Sequence, residues 1–512
     1  MTSDAISQEF DRPLRSHIVI VGAGLAGLET ANELVRHGVH DVLVLEAGPA
    51  GDLRHVNVAH APETALRMWL QPGTDAYFDR PWSSRTPSAF AAGSGIRRRV
   101  GGRSLYWYGV SLRLEPWALA APWWPAAVVA DLTGSWRGGK SLYEQVERHL
   151  ADWRSDGAEA AGPLAAGRPA ARLGDLDLLP VPFARRPAGP GAERWYAYTP
   201  LDRWRDPVSG ETRPAGPSPR PPVWTGVEVE RVVVRDGRAR GVVARDARTG
   251  AAVRIAADRV VLAAGTIESS RLAIQALGER APAPRPRLSG LCDHMVQGVF
   301  ARLSPQQGAA LTGVVPEGSY YAPGDAATRA NTFLELRRLP DGSVLVDLQA
   351  TGEQLPSEEN YVECGPASGA RSPAAVRAAP RGADLDVLAA ERELLRGAWD
   401  RLGEIAGLPR TALSFGDFER PDRTNELLLP EHLGSLDLGA PATWSGHLGT
   451  EDHEGGTLPL GRVLDEDHQF AGVPGLYAAG PSTFPRMGAA NPSLTTLALA
   501  HRLAAVLAGR AR

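Results

Sequence analysis

The sequence predicts an α/β protein in which a doubly wound but discontinuous sheet domain is joined to a separate α+β domain. Three segments support this prediction, because each runs from an apolar strand through a glycine turn into a helix: 17–36, 258–271 and 475–508. Strands connected through helices form parallel sheets that are covered on both faces. Since the segments lie at the start, middle and end of the chain, we expect them to share one sheet, with the insertions building the second domain.

Length and composition indicate a soluble enzyme of more than one domain. The chain has 512 residues, and its 55 Lys and Arg nearly balance 59 Asp and Glu. We therefore expect no nucleic-acid or membrane partner. Two distant cysteines, Cys292 and Cys364, predict neither a disulfide framework nor a metal site. The first sixteen residues lack the basic and apolar regions of a secretory signal, so the predicted location is cytoplasmic.

The N-terminal segment carries a dinucleotide-binding pattern of the Rossmann type. An apolar strand at 17–21 leads into Gly22-x-Gly24-x-x-Gly27, and a helix follows. The first glycine makes the turn, the second lets a pyrophosphate approach, and the third lets the helix pack closely. Glu46 ends the second strand, where a carboxylate can accept hydrogen bonds from ribose hydroxyls. This combination predicts dinucleotide binding rather than a simple strand–helix turn.

The rest of the chain gives weaker signals. Residues 155–222 are rich in Pro, Gly, Ala and Arg and are expected to be mostly loops. Apolar alternation predicts strands within 227–262 and at 344–349 and 359–364, whereas 384–406 has the spacing of an amphipathic helix. We expect three parts of a nucleotide-binding domain, separated by a lid or substrate insertion and by a substrate-binding domain. In chain order, including the insertions, the predicted boundaries are 1–115, 116–224, 225–295, 296–452 and 453–512.

Two segments bear on the choice between NAD and FAD, which share the glycine pattern. Residues 100–107 (VGGRSLYW) contain a glycine pair, where a backbone can lie flat against a planar ring. Residues 475–497 run from a strand through Phe484-Pro485 to the Asn491-Pro492 start of a helix. This last segment resembles the C-terminal signature of the glucose–methanol–choline (GMC) oxidoreductases.

Two further segments extend the resemblance. Residues 453–461 (HEGGTLPLG) resemble the family's His-x-x-Gly-Thr segment, in the form of pyranose 2-oxidase-like members. Residues 288–295 (LSGLCDHM) resemble its Asn-Leu-x-Asp-His stretch. The resemblance implies a doubly wound FAD-binding domain and an α+β substrate-binding domain whose sheet covers the flavin. It also implies oxidation of an alcohol carbon, with hydride transfer to flavin N5.

The resemblance assigns roles to particular residues. His453 is expected to remove the hydroxyl proton and Asn491 to hold the alcohol oxygen, although Asn491-Pro492 also suits an ordinary helix start. His447 is the alternative histidine, and His294 is expected to be structural or near the flavin. Tyr106 stands where pyranose 2-oxidase has a flavin-linking histidine, so we expect non-covalent FAD. The residues expected to line the FAD are Gly22, Gly24, Leu25, Ala26, Gly27, Glu46, Ala47, Gly101, Gly102, Ser104, Tyr106, Trp107, Glu228, Ala264, Gly265, Gly480, Asn491, Pro492 and Ser493.

The substrate is predicted from the acids around His453. Glu451, Asp452 and Glu454 suit a cationic alcohol such as an aminosugar or aminocyclitol, although a solvated acidic loop explains them too. A neutral sugar is the related expectation, because Trp117, Trp123 and Trp124 could stack on a ring or serve as core. The electron acceptor is O2 or another compound. The alternatives are an FAD-containing lyase without net redox and an NAD-dependent dehydrogenase.

Overall fold

The computed structural model of the chain describes residues 14–86, 90, 94–155, 164, 169–189, 194–213, 219–278, 286–365 and 372–511. Within these residues the helices are α1 (Leu25–Arg36), α2 (Val56–Ala59), α3 (Pro62–Leu70), α4 (Pro116–Leu119), α5 (Ala126–Thr133), α6 (Leu142–Arg154), α7 (Thr266–Gly278), α8 (Pro305–Thr312), α9 (Ala383–Ala406), α10 (Pro430–Leu433) and α11 (Ser493–Ala511). Short 3₁₀ turns lie at Pro72–Thr74, Gly102–Leu105, Pro200–Arg203, Asn425–Leu428 and Pro481–Thr483.

The strands of the described residues are β1 (Leu14–Val21), β2 (Val42–Glu46), β3 (Phe78–Asp79), β4 (Trp82–Ser84), β5 (Ile96–Arg97), β6 (Ala171–Leu173), β7 (Leu176–Pro180), β8 (Arg185–Pro187), β9 (Trp195–Ala197), β10 (Val223–Thr225), β11 (Val227–Arg235), β12 (Arg238–Asp246), β13 (Ala252–Leu262), β14 (Arg287–Ser289), β15 (His294–Leu303), β16 (Gly318–Ala322), β17 (Ala330–Arg338), β18 (Val344–Glu353), β19 (Tyr361–Cys364), β20 (Ala374–Arg377), β21 (Ala442–Ser445) and β22 (Leu476–Ala478). The elements expected near 344–349, 359–364 and 384–406 are therefore present.

The first sheet joins the three nucleotide-binding segments, as the sequence predicted. Its order is β10-β2-β1-β13-β12-β11, and β22 also pairs with β13. The pairs of β1 with β2 and β13, and of β13 with β22, are parallel, whereas β11 and β12 form an antiparallel extension. Because β13 is long, its first half pairs with β12 and its last residues pair with β22. The sheet thus combines strands from the start, middle and end of the chain.

Strand β1 shows why this sheet is buried on both faces. Ile18 and Ile20 pack into a cluster that contains apolar residues of α1 and α11, whereas Val19 and Val21 pack into the cluster on the opposite side. Neighbouring residues of a strand point to opposite faces of the sheet, so a strand buried on both faces must be apolar at every position. The carboxyl end of β1 then leads directly into the glycine turn, which places that turn at the edge of the sheet where ligands bind.

A second, antiparallel sheet forms most of the α+β part. Its order is β21-β15-β18-β17-β16-β7-β6, so it takes two strands from the 116–224 insertion and the other five from residues 294–445. Helix α9 packs on it through Leu395, Trp399 and Leu402. The strands β6 to β9 are short elements within the stretch that the sequence predicted to be mostly loops. The described residues thus give the predicted fold class, whereas the exact domain boundaries stay a prediction.

Two global expectations concern membranes and cysteines. Among the described residues, no helix combines the length and the apolar character needed to cross a membrane. Cys292 and Cys364 are both buried and free.

Candidate active site

One large cavity lies where the carboxyl end of the first sheet meets the 96–110 segment and the loop at 451–454. It is lined by most residues that the sequence selected: Gly22, Gly24, Leu25, Ala26, Glu46, Ala47, Gly102, Ser104, Tyr106, Trp107, Glu228, Ala264, Gly265, Glu451, Asp452, His453, Glu454, Gly480, Asn491, Pro492 and Ser493. Gly27 and Gly101 lie behind this lining rather than in it. The cavity therefore brings together segments that are hundreds of residues apart in sequence.

The three glycines of the first turn have different surroundings. A Cβ on Gly22 (φ +106°) would lie 2.4 Å from the carbonyl oxygen of Ala263, and one on Gly27 would lie 2.0 Å from that of Gly22. A Cβ on Gly24 would meet nothing within 4 Å. Gly24 is also the N-cap of α1 and offers no side-chain cap, so the first backbone N–H groups of the helix face open space. This cradle fits the pyrophosphate of a dinucleotide.

Glu46 is held at the end of β2 by two backbone donors. Its Oε2 accepts a hydrogen bond from Ala23 N (3.0 Å), and its Oε1 accepts one from Gly48 N (2.8 Å). Burial raises the pKa of Glu46 to about 7, although these donors partly oppose the shift. Each oxygen keeps accepting capacity toward the cavity, because a carboxylate has about four lone-pair sites. The side chain therefore fits the ribose hydroxyls of a dinucleotide.

The glycine pair of the 100–107 segment packs against the first glycine turn. Gly101 (φ +90°) donates from its N–H to the carbonyl oxygen of Ala23 (2.8 Å), and a Cβ on Gly102 would lie 3.4 Å from Cα of Gly24. At the end of the following 3₁₀ turn, the Tyr106 hydroxyl accepts a hydrogen bond from Arg99 Nη1 (3.0 Å). Burial raises the pKa of Tyr106 to about 12, so the phenol is neutral at neutral pH.

The cavity also contains His453 and Asn491. His453 Nε2 lies 3.4 Å from Nδ2 of Asn491, and His453 Nδ1 lies 2.9 Å from Nδ1 of His294. Asn491 Oδ1 is buried and has no hydrogen-bond partner among the described residues. Burial holds the pKa of His453 well below its usual range, and the neighbouring His294 and Arg103 act in the same direction. A neutral imidazole and a carboxamide thus lie side by side.

The acids around His453 have different partners. Glu454 is buried, accepts a hydrogen bond from Ser94 Oγ (2.8 Å) and forms a two-pronged ion pair with Arg103. Asp452 also pairs with Arg103, at 3.1 Å. Among the described residues, Glu451 forms neither a salt bridge nor a hydrogen bond, and burial raises its pKa to about 7, with a contribution from Asp452. The side chain free to meet a cation is therefore that of Glu451, rather than all three.

His447 does not line the cavity, which separates it from His453 despite their similar sequence context. Trp117, Trp123 and Trp124 also lie outside the cavity lining, and Trp124 packs on Phe484 in the core. The expectation that this tryptophan group stacks on the substrate therefore finds no support from its position. The aromatic side chains that do line the cavity are Trp69, Trp82, Tyr106, Trp107 and Tyr108.

Comparison with known proteins supports the cofactor and the chemistry. A family model described as GMC oxidoreductase matches residues 358–500, and one described as FAD binding domain matches residues 215–414. The 5-(hydroxymethyl)furfural oxidase of Methylovorus sp. (strain MP688) is 26% identical over 551 aligned residues, covering 95% of this chain and 97% of that protein. The chain is therefore similar to the GMC oxidoreductases.

Two solved structures have the same fold. A pyridoxine 4-oxidase from Mesorbium loti matches with a TM-score of 0.60 and 18% identity, over 96% of this chain and 98% of that one. A formate oxidase from Aspergillus oryzae RIB40 matches with a TM-score of 0.60 and 15% identity, over 97% and 99%. The chain is an FAD-dependent enzyme of the kind that oxidises alcohols. FAD is therefore the cofactor, as expected, rather than the NAD of the alternative dehydrogenase. The glycine cradle and Glu46 are the residues that fit FAD.

Arg103 and Tyr108 are cavity residues that sequence reasoning missed. Arg103 lies in the predicted 100–107 segment, but nothing in its sequence neighbourhood indicates that it binds acids some 350 positions later. A buried carboxylate needs a cation, so the acidic sequence around His453 could have prompted a search for one. No comparable signal indicates Tyr108.

Proposed function

We propose that the chain oxidises its alcohol with His453 as the base and Asn491 as the residue that holds the alcohol oxygen. The observation that carries this proposal is the 3.4 Å approach of His453 Nε2 and Asn491 Nδ2 in the cavity of the glycine cradle. A hydroxyl that lies to one side of this pair, within hydrogen-bond distance of both nitrogens, can donate its proton to the imidazole while its oxygen accepts a hydrogen bond from the amide. The first of these interactions needs a neutral imidazole, and burial keeps His453 neutral.

The two side chains divide the work of alcohol activation. His453 takes the hydroxyl proton, and the amide N–H of Asn491 stabilises the negative charge that develops on oxygen. When bound, FAD accepts the hydride from the alcohol carbon. Because three relatives are named as oxidases, we propose O2 as the acceptor that reoxidises the cofactor.

Anaerobic flavin reduction tests these roles. The holoenzyme is mixed with a panel of alcohols that includes 5-(hydroxymethyl)furfural, pyridoxine, neutral sugars and aminosugars, and bleaching of the flavin absorbance is followed. We expect His453→Gln to slow bleaching by at least ~100-fold with FAD retained, the lower end of general-base contributions. His447→Gln is the matched control and should stay near wild type. The opposite ranking, or bleaching that survives in His453→Gln, would refute the assignment. Turnover without bleaching would indicate the lyase alternative.

For the substrate, we propose a sugar, aminosugar or aminocyclitol, with an ammonium group recognised beside Glu451. Arg103 already forms ion pairs with Asp452 and Glu454, whereas Glu451 has no ion pair among the described residues. The sheet of β17 and β18 adds Asp347, which lies directly opposite Glu335. Burial raises the pKa of Asp347 well above its ordinary value, and Glu335 and Glu451 raise it further. Arg337 opposes that shift and contacts Glu335 at 3.6 Å. This excess of acid favours a cationic ligand.

Paired alcohols test the ammonium proposal. Each pair carries an amine or a hydroxyl at one position, and kcat/KM is measured at low and high salt. We expect the amine to be preferred by about tenfold or more, because a charge-assisted hydrogen bond contributes about 1.5–3 kcal/mol. Glu451→Gln should remove the preference, whereas Glu404→Gln, an exposed acid on α9, should not. Equal kcat/KM within every pair would eliminate the ammonium site and leave the neutral sugar.

A further inference from the structure

His294 occupies a buried position directly behind the proposed base. It begins β15 and is 1% exposed. Its ring meets that of His453 edge to face, with the two Nδ1 atoms 2.9 Å apart. On its other side, His294 Nε2 lies 2.9 Å from the carbonyl oxygen of Gly488. His294 therefore connects a backbone carbonyl to the imidazole of His453.

The carbonyl oxygen of Gly488 determines which ring nitrogens of His294 and His453 carry a proton. A carbonyl oxygen accepts hydrogen bonds and cannot donate one, so His294 Nε2 carries a proton. Burial lowers the pKa of His294 to about 4, and the ring is neutral at neutral pH. A neutral imidazole has one N–H, which leaves His294 Nδ1 as an acceptor. The hydrogen bond between the two Nδ1 atoms then requires the proton to be on His453 Nδ1.

We propose that His294 is a positioning residue that holds His453 in the Nδ1–H tautomer and thereby leaves Nε2 as its basic nitrogen. This inference rests on the proposed function, since Nε2 is the nitrogen beside Asn491. In the opposite tautomer, Nε2 would carry a proton and could not take one from the alcohol. The second nitrogen of a histidine commonly sets the role of the first in this way.

The surroundings of His294 keep the contact rigid. Asp293 accepts hydrogen bonds from the N–H of His294 (2.7 Å, to Oδ1) and from that of Gly449 (2.5 Å, to Oδ2), which ties β15 to the loop before His453. Gly488 is fixed as well, because its N–H donates to Glu353 Oε1 (3.0 Å). Both ends of the contact are therefore anchored by buried carboxylates, His294 by its neighbour Asp293 and Gly488 by Glu353 of β18.

Two substitutions separate tautomer control from packing. His294→Phe keeps a ring but removes the acceptor. His294→Gln keeps an amide oxygen that can accept from His453 Nδ1 and an amide N–H that can donate to Gly488. A third, His149→Phe, removes an imidazole that contacts the Tyr198 hydroxyl (3.0 Å) outside the cavity lining and controls for the loss of an interior histidine. FAD content and thermal unfolding are measured for each holoenzyme.

The first readout is the tautomer itself, from ¹⁵N NMR of histidine-labelled holoenzyme, with the His453 signals assigned by their loss in His453→Gln. We expect wild type and His294→Gln to show the proton on Nδ1, and His294→Phe to show a shift of the proton toward Nε2. Wild-type His453 with its proton on Nε2 would overturn the inference, even if every variant failed to fold.

The second readout is the maximal rate of flavin reduction. His294→Phe should lower it by up to about tenfold with little change in KM, since the loss of one hydrogen bond of about 1–1.5 kcal/mol shifts the tautomer equilibrium of His453 about five- to tenfold toward the inactive form. His294→Gln should recover most of the rate, and His149→Phe should match wild type. If His294→Phe is as fast as wild type while His453→Gln is inactive, the inference about His294 fails and the proposed function stands. If His453→Gln is also fast, the proposed function fails.

Discussion

Replacing Gly24 with valine should remove FAD binding while leaving the fold intact. Gly24 has φ −86° and ψ −166°, an extended conformation that valine adopts readily, and a Cβ there meets nothing within 4 Å. The new side chain would instead occupy the space above the start of α1, where the pyrophosphate approaches the backbone N–H groups. The substitution therefore separates the binding role of the glycine turn from its packing role.

The expected magnitudes follow from these contacts. The apoprotein should lose only about 1 kcal/mol, because valine is a poorer N-cap than glycine. The holoprotein should additionally lose the stabilisation by FAD, about 2.7 kcal/mol when FAD is present at 100 times its Kd. Gly27→Val should behave in the opposite way, since its Cβ would lie 2.0 Å from the carbonyl oxygen of Gly22 and destabilise the apoprotein itself.

Two measurements test whether Gly24→Val loses FAD binding but keeps its fold. The first is the flavin content after purification, and the second is thermal unfolding with and without added FAD. Gly73→Val is the matched control, because Gly73 is exposed and its Cβ would also meet nothing within 4 Å. We expect wild type and Gly73→Val to gain stability with FAD, and Gly24→Val to show none of this gain. A folded Gly24→Val protein with normal flavin content would refute the assignment of the glycine cradle.

Three further outcomes are expected. Acid precipitation should release the FAD, because Tyr106 replaces the linking histidine and its phenol is neutral; flavin retained on the denatured chain would show the reverse. FAD should bind more tightly as the pH rises through about 7, because the ionised Glu46 carboxylate is the stronger acceptor for ribose hydroxyls, and titrations of Glu46→Gln should lack this dependence. Arg103→Leu should cost about 3–5 kcal/mol by leaving Glu454 buried without its cation, and the double variant with Glu454→Leu should cost less in denaturant unfolding.

The parts of the site that the sequence predicted are those encoded within one short segment. The glycine turn, Glu46 and the start of α11 each follow from local spacing, because a strand, a turn and a helix impose their own periods on a few consecutive residues. The long helix α9 was predicted nearly to the residue for the same reason. Pairing of β13 with β22 could not be predicted in this way, since it joins residues more than 200 positions apart.

The charges of the catalytic loop show where local reasoning ends. Glu451, Asp452 and Glu454 are equivalent as sequence neighbours of His453, but only the fold brings Arg103 to two of them. Asp452 has φ +59°, so the chain turns there before His453 and Glu454. His453 then faces the cavity, whereas Glu454 reaches Ser94 and Arg103. The sequence therefore suggested three acids for substrate binding, whereas two of them, Asp452 and Glu454, are paired with Arg103.

The same turn decides what kind of partner His453 has. Had Glu454 bonded to the imidazole, its charge would have raised the pKa of His453 and favoured the protonated form, which cannot act as a base. Arg103 holds that carboxylate instead, and neutral His294 is the hydrogen-bond partner of His453 Nδ1, in the proposed tautomer as the acceptor. His453, the proposed base, is therefore kept neutral by burial while its orientation is fixed.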